Sequence, residues 1–367
     1  MMSQQLLHHS IALTLIPGVG DVAAKKLIAY CGSPTAVFKT KKSQLLKIPG
    51  LGEATASSIL HQKVLKQAEK EVKFIEQHKI EVLYYLADNY PKRLKHCQDA
   101  PLLLYHKGTT NFNQGKMLSI VGTRNATEYG KKITRQLIEE LKIHQVTIIS
   151  GLAYGIDICA HKAALQHELK TVAVLAHGLD RLYPPAHKTV ANNIIEMGGL
   201  LTDFISETNP DRENFPKRNR IVAGLSDATI VVEASNKGGA LITAEIANSY
   251  NRDVFAVPGR LNDTFSTGCN RLIKTNKAAL IESAKDIEYL LGWTAEEKVR
   301  PKQQKLFIEL STEEETIVQL LSKHGNLPVD DLTLLSELSM SKVAALLLNL
   351  EFNGLVKSLP GKVYQLC

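Results

Sequence analysis

At 367 residues the chain has room for two or three domains, and 44% apolar residues are enough to fill their cores. That composition excludes disorder as the main state, and the apolar runs are strand-sized, far below the roughly 20 residues a membrane-spanning helix needs. Forty-four Lys and Arg against 37 Asp and Glu give a net charge of +7, which favours an anionic partner.

The N-terminal MMSQQLLHHSIALTL has no basic leader, and His8, His9 and Ser10 interrupt its apolar stretch, so no secretory signal is expected and a cytoplasmic location follows. Cys31, Cys97, Cys159, Cys269 and Cys367 are odd in number, with no Cys-x-x-Cys pair. They suit neither a disulfide framework nor a zinc site.

Residues 1–80 hold eleven lysines against five acids, so most of the excess charge lies in the first fifth. Within it, Ile16-Pro-Gly-Val-Gly20 and Ile48-Pro-Gly-Leu-Gly52 form an internal repeat, each followed by a helical stretch. Two helix-hairpin-helix units are predicted: Pro ends one helix, the glycines turn the chain, and free N–H groups open the next helix. Such hairpins hold DNA phosphates or serve as plain packing turns, and the residues fit both.

Over 81–292 short β-branched runs alternate with helical stretches. Strands are expected at Leu118–Val121, Val146–Ile149, Thr171–Leu175, Ala228–Val232 and Val254–Val257. Helices are expected at Glu128–Leu141, Ile156–Gln166, Thr189–Met197, Ala240–Tyr250 and Asn270–Thr275. The alternation predicts an α/β, Rossmann-like parallel sheet, with ligands at the carboxyl ends of its strands. A charged linker is expected at 293–304. Residues 305–367 then give three helices and a hairpin turning at Pro360-Gly361, a winged helix. Its third helix carries only Lys342, which favours protein contact or packing over DNA reading.

The loops after the strands are the candidate sites. Gly122–Gly130 places Arg124 at a strand end, to grip a phosphate or to pair with Glu128. Ser150–His161 offers Gly151 and Gly155 for close backbone approach. Asp157 and His161 stand at i and i+4, but with no third ligand and no nucleophile elbow, Asp157 reads as a helix cap. His177–Lys188 brings Arg181 and Lys188 around an aromatic, and Asp211–Arg220 sets four cations around Phe215. Cations interleaved with an aromatic suit single-stranded nucleic acid. Lys237 precedes the Gly238-Gly239 pair that opens a helix, a place for an anion, and Glu245 two turns on is a weak candidate for a base.

These motifs resemble the DNA-processing protein A (DprA/Smf) family. The similarity lies in Val121-Gly-Thr-Arg124, Ser150-Gly-Leu-Ala-Tyr-Gly-Ile-Asp157, Phe215–Ser226, Lys237–Ala244, Val257-Pro-Gly259 and Gly268–Ile273, in family order. The resemblance implies a homodimer that binds single-stranded DNA, protects incoming strands during natural transformation and loads the RecA recombinase. It also implies that Arg124, Gly151, Phe215, Lys217, Arg218, Asn219 and Arg220 contact the strand; Arg181, Lys188 and Lys237 are added from charge and loop position. The family's dimer face maps to the run ending at Leu280 and Ile281. No catalytic residue, metal or cofactor is expected. The rival class is an enzyme: Gly238-Gly239, Thr243 and Glu245 are similar to the Pro-Gly-Gly-x-Gly-Thr-x-x-Glu signature of nucleoside-monophosphate phosphoribohydrolases, but the Pro is missing and Ala240-Leu241 replaces Gly-Thr.

Overall fold

The computed structural model describes residues 3–293 and 310–367. Residues 294–304 of the expected linker and 305–309 of the expected winged helix lie outside the described residues.

The N-terminal repeat is conformational as well as textual. Helices α1 (Gln4–Leu15), α2 (Asp21–Cys31), α3 (Pro34–Val37), α4 (Lys42–Leu45), α5 (Glu53–Leu60) and α6 (Leu65–Gln77) form a helical layer. Gly18 (φ 82°) and Gly50 (φ 80°) occupy the left-handed region at equivalent hairpin positions, where an L side chain is strained. Gly20 and Gly52 then start α2 and α5 with nearly the same extended backbone. Ile11, Ile16, Val19, Ile48, Ala56 and Ile59 share one core, so both hairpins close on a single centre.

That core does not stop at residue 80. It continues into Leu102 and, in the neighbouring sheet, Leu103 and Tyr105. Polar ties follow: Asp21 accepts from the Leu102 N–H at 2.8 Å, Lys25 donates to the Ala100 carbonyl at 2.9 Å, and the buried carboxylate of Glu71 accepts from the Ser206 N–H. The first hairpin is thus a docking element against the central domain.

The central sheet has nine strands: β1 (Glu81–Tyr84), β2 (Leu103–Gly108), β3 (Met117–Val121), β4 (Thr147–Ser150), β5 (Thr171–Val174), β6 (Gly199–Thr202), β7 (Ala228–Val231), β8 (Asp253–Ala256) and β9 (Ala279–Leu280). Their order is β1-β2-β6-β5-β4-β3-β7-β8-β9. From β6 to β9 every pair is parallel, as expected, and β3 to β7 are buried along their whole length because helices cover both faces. The antiparallel edge β1-β2-β6 was not expected from the sequence.

The covering helices are α7 (Lys92–Lys95), α8 (Glu128–Glu140), α9 (Ile156–Gln166), α10 (Lys188–Met197), α11 (Asn214–Leu225), α12 (Gly239–Ser249), α13 (Thr267–Lys274) and α14 (Ala284–Leu290). The chain winds from β3 toward β6 on one side and from β7 toward β9 on the other. The loops after β3 and β7 therefore diverge and leave a crevice between them, the switch point of a doubly wound sheet.

The C-terminal domain contains α15 (Thr312–His324), β10 (Leu327–Pro328), α16 (Val329–Ser336), α17 (Met340–Phe352), β11 (Val356–Leu359) and β12 (Val363–Leu366). A Ser311/Glu314 capping box starts α15. The wing turns at Gly361 (φ 88°), and the neighbouring Pro360 carbonyl accepts from Arg252 Nη1 at 3.2 Å. Lys342, the one cation on α17, is paired with Glu313.

Candidate nucleic-acid interface

The crevice has a volume of about 320 Å³ and is built from five segments, one of them supplying Phe265 from the loop after β8. The loop after β3 contributes Gly122–Asn125, the loop after β4 contributes Gly151 and Ala153, and α11 contributes Phe215, Arg218 and Asn219. The loop after β7 adds Ser235 and Lys237–Gly239.

Arg124 is exposed at the mouth, with its guanidinium over the Phe215 ring, 5.0 Å from the centroid. The bracing alternative fails, because Glu128 pairs with Lys131 at 2.8 Å. A guanidinium stacked on a ring keeps its outer N–H groups available to a phosphate, and the half-buried Phe215 is also approached by the Tyr183 ring at 6.2 Å. Sequence reasoning treated Tyr183 only as an aromatic between cations; its partnership with Phe215 comes from the fold.

The run Asp211–Arg220 is not a loop of equivalent cations. From Asn214 it is the helix α11, and about 100° of rotation per residue sends neighbouring side chains to different places. Lys217 remains exposed, within 4.0 Å of Glu213. Arg218 turns inward and is only 4% exposed, donating from Nη1 to the Val174 carbonyl at the end of β5. Burial lowers its pKa to about 10, Asp157 opposes that shift and Arg124 adds to it. Its Nε has no hydrogen-bond partner among the described residues. Arg218 therefore gives the crevice a positive floor.

Arg220 is a correction to the expected contact set. Its Nη2 donates to Asp21 at 2.9 Å and to Asp203 at 2.7 Å, and its Nη1 donates to the Asp99 carbonyl. Burial opposes its charge, but the facing carboxylates of Asp203 and Asp21 outweigh that and hold the proton more firmly than water would. Arg220 thus joins the first hairpin to the central domain and does not line the crevice.

Other expectations shift in similar ways. Gly151 makes room for protein before ligand, since a Cβ there would overlap the Arg218 guanidinium. Gly155 (φ 79°) lets the turn approach the Thr123 and Arg124 carbonyls. The N-terminus of α8 is already occupied by an internal anion: the buried Glu233 carboxylate accepts from the Thr127 N–H at 2.9 Å and from its hydroxyl. In the sequence its one sign is an acid two residues beyond the apolar strand β7. Asp157 is buried and lines the crevice beside Arg218, and His161 is buried with Nδ1 2.7 Å from Thr171 Oγ1. Among the described residues no cluster of three metal-ligating side chains occurs.

Arg181 and Lys188 are not among the crevice residues. Arg181 pairs with Asp180 at 2.7 Å and also donates to Asn209, while Lys188 begins α10 on the surface. Glu245 is exposed outside the crevice, 3.8 Å from Lys277, so nothing places it on a bound nucleotide there. At the far edge Leu280 is 46% exposed, whereas Ile281 is fully buried with Phe255, Ala284 and Ile287. Ile281, just beyond β9, is thus a core residue and not part of an exposed face.

The fold and crevice define the class: a doubly wound α/β domain with a cationic, aromatic-flanked switch point, carrying a helix-hairpin-helix layer and a winged helix. The family signature of DNA recombination-mediator protein A matches residues 81–292, that of the DprA winged helix domain matches 301–362, and that of the SAM-like helix-hairpin-helix tandem matches 10–62. Protein Smf of Synechocystis is 32% identical over 97% of each chain. The solved structure of DNA processing protein A from Streptococcus pneumoniae superimposes with a TM-score of 0.68 at 33% identity, covering 77% of this chain and 97% of that one. DNA processing protein A from Helicobacter pylori, whose single-stranded DNA binding mode has been described structurally, gives 0.53 at 31% identity over 59% and 96%. The chain belongs to the DprA/Smf family.

Proposed function

We propose that this protein binds single-stranded DNA in the crevice and acts as a recombination mediator, protecting incoming strands and loading RecA during natural transformation. The observation that carries the reading is Arg124 held over Phe215 at the switch point, above the buried charge of Arg218. Arg124 and Lys237 take phosphates, Phe215 offers a face to an unpaired base, and Asn219 supplies a polar edge. Lys217 meets the backbone at the rim. The working unit is a cytoplasmic homodimer joined through the exposed Leu280 edge.

The test is a titration of labelled single- and double-stranded oligonucleotides at two salt concentrations. Preferential, salt-sensitive binding of single strands is expected. Equal affinity for the duplex, or no affinity for either, would overturn the reading.

A further inference from the structure

The loop between β7 and α12 separates the crevice from a second cavity of about 440 Å³. Lys237, Gly238 and Gly239 line both cavities, so this loop is a saddle between them. The second cavity is lined by two cations, Arg271 and Lys277, and by one carboxylate, Glu245. No ion pair engages Arg271 among the described residues, and Lys277 has only the exposed Glu245 at 3.8 Å, a contact of small energy.

The glycine pair on the saddle differs from the other glycines of the site. A Cβ on Gly122, Gly130 or Gly151 would run into neighbouring protein atoms. A Cβ on Gly239 would meet nothing within 4 Å, and one on Gly238 only Ser235, at 3.9 Å. Neither residue has positive φ. Gly238 is the N-cap of α12, a position that suits glycine, but internal packing and backbone strain give no reason for a second glycine at Gly239, whereas a ligand passing close over the backbone does. Gly268 fixes the far side: its own Cβ would lie 2.6 Å from the Ser235 carbonyl oxygen, so α13 packs tightly on the loop and Arg271, one turn on, is held beside it.

We infer that a single DNA strand leaves the crevice across Gly238-Gly239 and that Arg271 and Lys277 hold its next phosphates. This rests on the proposed binding of single strands in the crevice. The lining of the second cavity reaches Lys277, two residues before β9 in the chain.

The test compares the wild type, Arg271→Ala/Lys277→Ala and Arg124→Ala on oligonucleotides of about six and about thirty nucleotides, with thermal midpoint and solution mass recorded for each. The double variant should bind the long strand about tenfold more weakly, with a salt slope lower by about 1.4 for two lost phosphates, and bind the short one as the wild type does. Unchanged binding of the long strand, or equal loss on both lengths, would overturn the inference. If Arg124→Ala leaves the short strand unaffected, the crevice reading itself fails, a separate result. Should the double variant change mass or melt early, Arg271→Gln alone is read by the same criteria.

Discussion

Replacing Arg220 with Ala should loosen the joint between the first hairpin and the sheet while sparing DNA binding. The side chain is 15% exposed and bridges Asp21, 24% exposed, and Asp203, 11% exposed. Its removal leaves Asp203, whose Oδ1 already lacks a partner, as an uncompensated buried carboxylate. Breaking one side of a buried pair costs about 3–5 kcal/mol, and the residual exposure puts this case near about 3 kcal/mol. For a unit of this size that is a fall in thermal midpoint of roughly 6–12 °C. Scanning calorimetry reads the midpoint, and hydrogen exchange should place the added opening at Asp21 and the Leu102 N–H. A variant of unchanged stability that binds single-stranded DNA several-fold more weakly would refute the argument and return Arg220 to the binding surface.

Gly239→Ala, at the first position of α12 with open space around the new methyl, should fold with stability unchanged or raised by up to about 1 kcal/mol while single-strand affinity drops; wild-type affinity would show that no ligand approaches that backbone. Burial lowers the His161 pKa from 6.5 to about 3, assisted by Arg218 and His187, so the unfolded chain takes up the proton first and stability falls as pH drops through that window. His161→Leu should remove a slope of about 1.4 kcal/mol per pH unit from the unfolding free energy, read by urea titration below pH 6.5, and an identical acid profile would count against it. Leu280→Asp should give folded monomers by light scattering, whereas Ile281→Asp should fail to fold; a dimeric Leu280→Asp would place the interface elsewhere.

The parallel strands and their helices were legible because β-branched runs and 3.6-residue spacing carry their own burial pattern, as in Met117–Val121 against Glu128–Glu140. The antiparallel edge was not, since β2 includes His106 and Lys107 and is buried only through its neighbours. In the site, Arg124 and Phe215 were readable from residue type and loop position. The separate fates of Lys217, Arg218 and Arg220 were not, because a cation run on a helix distributes its charges according to what packs on each face. Glu233 was hidden for a different reason: its partner, Thr127, lies on another loop, far away in sequence.

On the proposed reading, Arg124 over Phe215 holds a phosphate of single-stranded DNA. Fluorescence titration of wild type and Arg124→Ala across a salt series tests it most directly. The variant should lose about 1.5 kcal/mol, about tenfold in affinity, and its salt slope should fall by about 0.7, the share of one phosphate, at an unchanged melting temperature. Superimposable isotherms and slopes for the two proteins would contradict it.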